Sequence, residues 1–490
     1  MVRLTESIWV TGPPVSSPAC PLDAFKVGAV VPSLPREPRT EERAALDNAR
    51  HYGRPHAVVG RKRGVALSAG AERSWAVPEA RPGPDGCTAA GVGLTLAPLY
   101  DSNRRARRRA GAPTMDWLHW RDEFPILSRK IYLNSCSLGA LGVRSQARVR
   151  EFEQEWSTYG ASAWYETWMR RLGELRMRVA VLLGGDATGL ALAPSTSVAL
   201  AAVASALDFR ARPKVVVADL DFPTLAYQWM VRPGVEVVRV PSDDGATIDP
   251  ARFADVVDER TALVATSHVF YSTGAIQELS TLATIAHDRG ALLLVDAYQS
   301  AGQLPIDVSR DDVDILTTGP LKWLLGGPGL AYLYVRPELV PRLRPTVAGW
   351  FGARDQFAFD IEHFDFKEDA RRFEMGTPSL PSVHYALGGQ DVVDEIGVPA
   401  IRERNAALTE RLVNGARAAG LRLRMAPEPE QRSAIVMVAI EDPAAAVAHM
   451  ARRHIVVDSR PGHVRVSPHF YNTEDEIDRV LGELVAWSRP

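Results

Sequence analysis

A chain of 490 residues, 46% of them hydrophobic, is long enough for a large core and more than one structural unit. Its 57 basic and 59 acidic residues leave a formal charge of −2 and a pI near 6.6, which excludes a protein that binds nucleic acid electrostatically as a whole. The three cysteines, Cys20, Cys87 and Cys136, are too few and too scattered for a disulfide framework or a zinc site and fit a reducing cytoplasm. No run of about 18 apolar residues offers a membrane span, and no basic segment leading into an apolar one marks a signal peptide.

Residues 1–114 are rich in Pro, Gly, Ala and Arg, show little periodicity, and end in Arg104, Arg105, Arg107, Arg108 and Arg109. One reading is a basic arm for nucleic acid or targeting. The preferred reading is a disordered extension, or translated sequence ahead of a start at Met115. From Met115 the texture becomes that of a globular α/β enzyme. Residues 115–175 read as a segment packing on two domains, 176–378 as a large domain and 379–490 as a smaller α+β domain. Strands are expected at Leu190–Ala193, Val215–Ala218, Val235–Val240, Ala262–Ser267, Ala291–Asp296, Ile315–Thr318 and Leu330–Val335. They are short, bounded by turn residues and almost free of polar alternation, as strands buried on both faces are. Ser280–Arg289 has helical spacing with Gly290 as a stop, so strand–helix–strand order predicts a mostly parallel sheet flanked by helices. Beyond 380 the sequence predicts a helix near Ile401–Ala419, short strands near Ile435–Ala439 and Val464–Ser467, and a last helix opened by the capping-box pair Thr473 and Glu476.

Ligands of open α/β sheets bind beyond the carboxyl ends of the strands, and the unusual polar groups fall there. Ser267 and His268 end one strand, Asp296 ends the next, and Thr317 and Thr318 end a third, with Lys322 four residues on. Lysine is scarce, standing only at 26, 62, 130, 214, 322 and 367. One amid Trp323, Leu324, Leu325 and the glycines 326, 327 and 329 needs a reason that guanidinium cannot supply, and a Schiff base is one. The separation of 26 residues between Asp296 and Lys322 allows one crossover and one strand, so both reach one edge. The set suits pyridoxal 5′-phosphate (PLP): an aspartate keeps the pyridine nitrogen protonated, and a lysine forms the imine and later moves the α-proton. Each residue alone has an ordinary structural explanation, Asp296 as a turn acid and Lys322 as a surface lysine.

Five segments in order across residues 131–490 resemble the class V aminotransferase superfamily of fold-type-I PLP enzymes, in its kynureninase and cysteine-desulfurase-like branch. They are Ser267–Gly274, Val295–Gly302, Lys322–Gly329, Gly349-Trp350-Phe351-Gly352 and Gly376-Thr377-Pro378. The resemblance implies a large PLP-binding domain with a mostly parallel mixed sheet and a smaller C-terminal domain. It gives Ser195, Thr196 and Ser197, at the start of an apolar helix, to the PLP phosphate, a site that would otherwise be read as a plain N-cap. Phe222 would stack on the pyridine ring and Gln299 would reach its phenolic oxygen. Trp350 and Thr377 would reach a phosphate, Thr377 across a dimer interface, which implies a homodimer with composite sites. Arg465 would hold the α-carboxylate of an amino-acid substrate. Asn134, in the stretch Asn134–Gly139, and the stretch Trp156–Trp168 are expected on the substrate side.

The sequence also departs from its relatives. Leu225 stands where kynureninases have aspartate, Leu321 where kynureninases have tyrosine and desulfurases histidine, and Gln299 where kynureninases have histidine. The loop before Arg465 holds no cysteine, so a persulfide mechanism has no visible nucleophile there. The expected function is a PLP enzyme working through a Lys322 Schiff base and a quinonoid carbanion, cleaving a C–C or C–S bond in the side group of an α-amino acid. The alternatives are transamination to a keto acid and a non-catalytic relative. No nucleic-acid, membrane or metal partner is expected.

Overall fold

The main sheet is built from strands whose residues are buried on both faces. The computed structural model describes residues 115–488; the extension expected over 1–114 lies outside them. The strands in chain order are β1 (Ile131–Tyr132), β2 (Leu190–Ala193), β3 (Lys214–Ala218), β4 (Glu236–Val240), β5 (Thr261–Ser267), β6 (Leu292–Asp296), β7 (Ile315–Thr318), β8 (Ala331–Val335), β9 (Leu423–Arg424), β10 (Val436–Ala439), β11 (Ile455–Val456), β12 (Asp458–Arg460) and β13 (His463–Val466). Strands β2 to β8 lie in the order β2-β8-β7-β6-β5-β3-β4. Strand β8 alone is reversed, pairing antiparallel with β7 and β2, while the pairs among β3 to β7 are parallel.

Successive residues of a strand point to opposite faces, and here both sets are apolar. Val216, Val264, Leu293, Val295, Leu316 and Tyr332 join one core with the helices Met169–Leu182, Leu279–His287 and Leu380–Ile396. Val215, Val217, Leu263, Ala265, Leu294 and Leu333 join another with the helices Thr196–Ala206 and Pro223–Met230. The exception is the edge strand β4, where Glu236 and Arg239 are exposed; charges there blunt an open edge.

The second sheet is antiparallel, in the order β12-β13-β10-β9. Val436, Val438, Val464 and Val466 pack against Leu408 and Leu412 of the helix Val398–Ala418 and Ile477, Val480 and Leu484 of the helix Glu474–Ser488. The expected capping box is present: Thr473 Oγ1 accepts from Glu476 N–H and Glu476 Oε2 accepts from Thr473 N–H. Among the described residues no helix is long and apolar enough to cross a membrane.

The N-terminal segment reaches both sheets. Trp120, Phe124 and Tyr132 enter the first core, whereas Leu133 enters the core of the second sheet. Strand β1 pairs with β11, and Asn134 bridges Ser467. The stretch Trp156–Trp168, expected as a substrate-side loop, is instead largely helical: it ends the helix Val143–Tyr159 and continues through a single π-helical turn, Trp164–Trp168. Aromatic packing holds that turn, with Trp168 stacked on Phe152 and edge-on to Trp164.

Candidate active site

The carboxyl ends of β2, β3, β5, β6 and β7 open onto one cavity of about 270 Å³, lined by Ser195–Ser197, Phe222, Thr224, Ser267, Val269, Tyr271, Asp296, Tyr298, Gln299, Leu321 and Lys322. Strand direction brings these residues together: β3, β5, β6 and β7 run parallel, and β2, set beyond the reversed β8, runs the same way as they do, so each residue follows its strand at the same edge.

Lys322 sits on a loop closed upon itself: Leu325 N–H donates to Lys322 O at 3.2 Å and Gly326 N–H to Pro320 O at 2.8 Å. Leu325 takes a left-handed φ of 60°, a conformation that costs a β-carbon-bearing residue roughly 1–2 kcal/mol and persists only where the surroundings impose it. Those surroundings are tight. A Cβ on Gly139 would lie 2.2 Å from Lys322 O, and one on Gly389, inside the helix Leu380–Ile396, 2.2 Å from Leu324 O. The next residue, Trp323, is fully buried, its Nε1 donating to Gln299 Oε1 at 2.9 Å. The loop is therefore clamped from three sides.

The Lys322 amine lies 4.7 Å from the centre of the Tyr298 ring. Burial pulls its pKa from 10.5 down to about 8; Cys136 and Asp296 oppose that shift, and the charges of Arg465 and Arg460 add to it. Asp296 is buried, and burial raises its carboxyl above the ordinary range against the Tyr298 N–H that its Oδ1 accepts at 2.8 Å. Burial likewise drives the Tyr298 phenol up to about 12, with Asp296 adding to the rise. The pocket thus presents an amine whose pKa is brought toward neutrality, a buried carboxyl whose proton affinity is raised, and a neutral phenol.

The residues fit PLP on observations of this structure. Thr196 Oγ1 is buried with no hydrogen-bond partner among the described residues, at the first turn of an 11-residue helix whose N-cap is Ser195. An anion at that terminus would meet both the orphan hydroxyl and unpaired backbone N–H groups. Phe222 leaves 46% of its surface exposed at the cavity wall, its ring edge-on to Tyr271, which is what a planar ligand needs for stacking. The buried carboxyl of Asp296, desolvated at the cavity wall, suits a protonated ring nitrogen.

Not every expected residue lines the cavity. Gln299 does, but its amide is partly engaged, donating to Cys136 O at 3.0 Å and accepting from Trp323. Trp350 and Thr377 border two other hollows of the same chain; that of Thr377 also includes Pro194 and Val198, on either side of the Ser195–Ser197 turn. Asn134 is half-buried, between β1 and Ser467. His268 follows β5 but is buried away from the cavity, and burial lowers its pKa to about 4, so it is neutral. Arg465 is 1% exposed, and Asp458 occupies its fork, accepting from Nε at 2.8 Å and from Nη2 at 2.5 Å. Sequence reasoning missed Tyr298 and Asp458. The first adjoins Gln299 and could have been suspected from its place after Asp296; nothing in the sequence pairs the second with Arg465. Cys136, remote in sequence, packs against Trp323, but burial raises its thiol pKa and leaves it without nucleophilic character.

The aminotransferase class-V family matches residues 148–480, and the protein belongs to it. It is therefore a member of a family of PLP-dependent enzymes. The sequence is 34% identical over 369 residues to the uncharacterised aminotransferase YcbU of Bacillus subtilis (strain 168), covering 75% of this protein and 97% of that one. It is 28% identical over 378 residues to the kynureninase of Shouchella clausii (strain KSM-K16), covering 73% and 88%. The fold matches that of the apo cysteine desulfurase from Thermococcus onnurineus NA1 with a TM-score of 0.70 at 22% identity, over 76% of this protein and 97% of that one.

Proposed function

We propose that this protein is a PLP enzyme that acts on an α-amino acid and breaks a C–C or C–S bond of the substrate's side group, with Lys322 as the residue that carries the cofactor. The observation that supports it most is the meeting of a desolvated amine and a desolvated carboxylate in one cavity, Lys322 and Asp296, at the carboxyl end of the sheet. When bound, PLP supplies a ring able to take up the electron pair left by a bond breaking at the substrate's α-carbon.

The residues would divide the work as follows. Asp296 balances a positive charge on the ring nitrogen. Ser195, Thr196 and Ser197 hold the phosphate, Phe222 covers the ring, and Gln299 offers its remaining N–H to the phenolic oxygen. Lys322, with a pKa near 8, takes a proton from the α-carbon and returns it. Tyr298 keeps that amine in place. Arg465 binds the substrate carboxylate, with Asn134 on the same side. Trp350 and Thr377 reach a phosphate, Thr377 that of a second copy, so the working unit is a homodimer; the exposed Trp350, Phe357, Phe359 and Ile361 on one loop suit burial by a partner. The neutral, buried Cys136 favours C–S cleavage without a protein persulfide. We place the enzyme in the cytoplasm on the sparse cysteines of the whole sequence.

Transamination is the second reading, favoured by the 34% identity to a protein named an aminotransferase. A panel of amino acids incubated with the loaded enzyme separates the two. Ammonia or a shortened amino acid released without any keto-acid acceptor supports bond cleavage in the side group; product that forms only with an acceptor supports transamination. No spectral change with any amino acid would refute both.

A further inference from the structure

Arg465 has five N–H donors, and the structure accounts for four. Nε donates to Asp458 Oδ1 at 2.8 Å, and Nη2 to Asp458 Oδ2 at 2.5 Å and to Ser137 Oγ at 2.7 Å. Nη1 donates to the carbonyl of Tyr271 at 2.9 Å. A single N–H of Nη1 is left, whereas bidentate recognition of a carboxylate needs two parallel donors. The side-on fork is filled by a carboxylate of the protein itself.

The three charged groups differ in freedom. Arg465 is anchored in β13 with 1% of its side chain exposed, while Asp458 has 21% and Arg460 28%. Asp458 stands directly across from Arg465 in the β12–β13 ladder. Arg460 lies two residues along β12 from Asp458, hence on the same face, and already reaches Asp458 Oδ2 at 3.3 Å. Its guanidinium lies 5.8 Å from the centre of the Tyr271 ring, and Tyr271 lines the cavity. Ser137 Oγ donates to Asp458 Oδ2 at 2.6 Å and completes the cluster. Two cations facing one anion leave a surplus positive charge, which a second carboxylate would neutralise.

We propose that Asp458 is a specificity-determining residue: it holds the fork of Arg465 in the resting enzyme, and an incoming substrate carboxylate displaces it onto Arg460. This rests on the reading that Arg465 receives the substrate carboxylate. Only ligands carrying an anion able to compete with Asp458 gain the fork, so the residue discriminates among anionic ligands, while amines without a carboxylate leave the Asp458–Arg465 pair intact. The Asp458 carboxylate is a real competitor: burial pushes its pKa up, but the hydrogen bonds and charge of Arg465 outweigh that and hold it below its ordinary value, so it stays ionised at neutral pH.

The test titrates the full-length, PLP-loaded protein with L-alanine and with ethylamine, which lacks the carboxylate, following cofactor absorbance and checking by calorimetry. In Asp458→Asn, which keeps the shape and one acceptor, the Kd for L-alanine should fall about tenfold or more, the factor by which a competitor filling the site nine-tenths of the time weakens apparent affinity. Ethylamine should bind as it does to wild type. In Arg460→Gln, where displaced Asp458 has no cation to receive it, L-alanine should bind several-fold more weakly with ethylamine again unchanged. An Asp458→Asn protein that binds L-alanine no better than wild type, or as poorly as Arg465→Ala, makes Asp458 a buttress and overturns the proposal. If Asp458→Asn does not fold, Arg460→Gln decides: unchanged L-alanine affinity overturns the exchange. Wild type that responds to neither probe would instead refute the amino-acid reading, and this proposal with it.

Discussion

The depressed pKa of Lys322 gives the site a quantitative signature. With a pKa of about 8 in place of 10.5, about a quarter of the amine is neutral at pH 7.5, against about one part in a thousand for an unperturbed lysine, a gain of some 200-fold. Ligand-free protein exposed to PLP and then to borohydride should therefore carry a pyridoxyl label on Lys322, and the labelling rate should rise with a midpoint near pH 8. Lys214 is a poor competitor, because its amine is tied to Val256 O and Asp258, each at 2.7 Å. The same shift affects folding. Between about pH 8 and 10.5 the unfolded protein holds a proton on this lysine that the folded protein has lost, so the stability of the ligand-free protein should rise with pH across that window by about 3 kcal/mol. Urea unfolding of wild type and Lys322→Met at both ends of the window isolates that contribution from other titrating groups. A label on Lys214 or Lys367, a midpoint near 10.5, or no difference between the two proteins would refute the assignment.

Two further outcomes are expected. Asp296→Asn should still retain PLP through the lysine and the phosphate contacts but lose roughly 100-fold or more in turnover, a few kcal/mol of lost charge stabilisation; unchanged turnover would make Asp296 structural. Gly389→Ala sets two effects against each other: alanine improves helix propensity by about 1 kcal/mol, but its Cβ would stand 2.2 Å from the backbone oxygen of Leu324, and such overpacking costs about 1–3 kcal/mol. Thermal unfolding should show net destabilisation with weaker PLP retention, and a raised Tm would show that the lysine loop yields.

The main sheet was legible because burial on both faces leaves continuous apolar runs; the strand at Val215–Ala218 and the helix near Ser280–Arg289 appear within a residue or two of their expected limits. The meeting of Asp296 with Lys322 was legible for the same reason, since direction and order suffice in a parallel sheet. The helix Leu380–Ile396 was not. Leu380, Val383, Ala386, Leu387, Val392 and Val393 are buried on several sides, which removes the amphipathic stripe, and Gly388 and Gly389 read as breakers although they serve close packing. The engagement of Arg465 by Asp458 was also invisible, because a pair across a short hairpin looks like any two surface charges. Tyr298 went unread although its place after Asp296 gave a weak signal; its part shows only once the Lys322 amine is seen 4.7 Å from its ring.

The N-terminal segment that bridges both sheets has a consequence for how the protein comes into being. Ser137 meets Arg465 across a sequence separation of 328 residues, and Gly139 N–H holds the carbonyl of Leu321, next to the lysine. At roughly 5–20 residues per second, synthesis of that interval takes roughly 16–66 s. During that time the large sheet can pair and collapse while β1 and the residues after it wait for β11 and β13. Contacts of such high sequence separation form late, so competence to hold a substrate should be among the last properties the protein acquires, well after its core is dry.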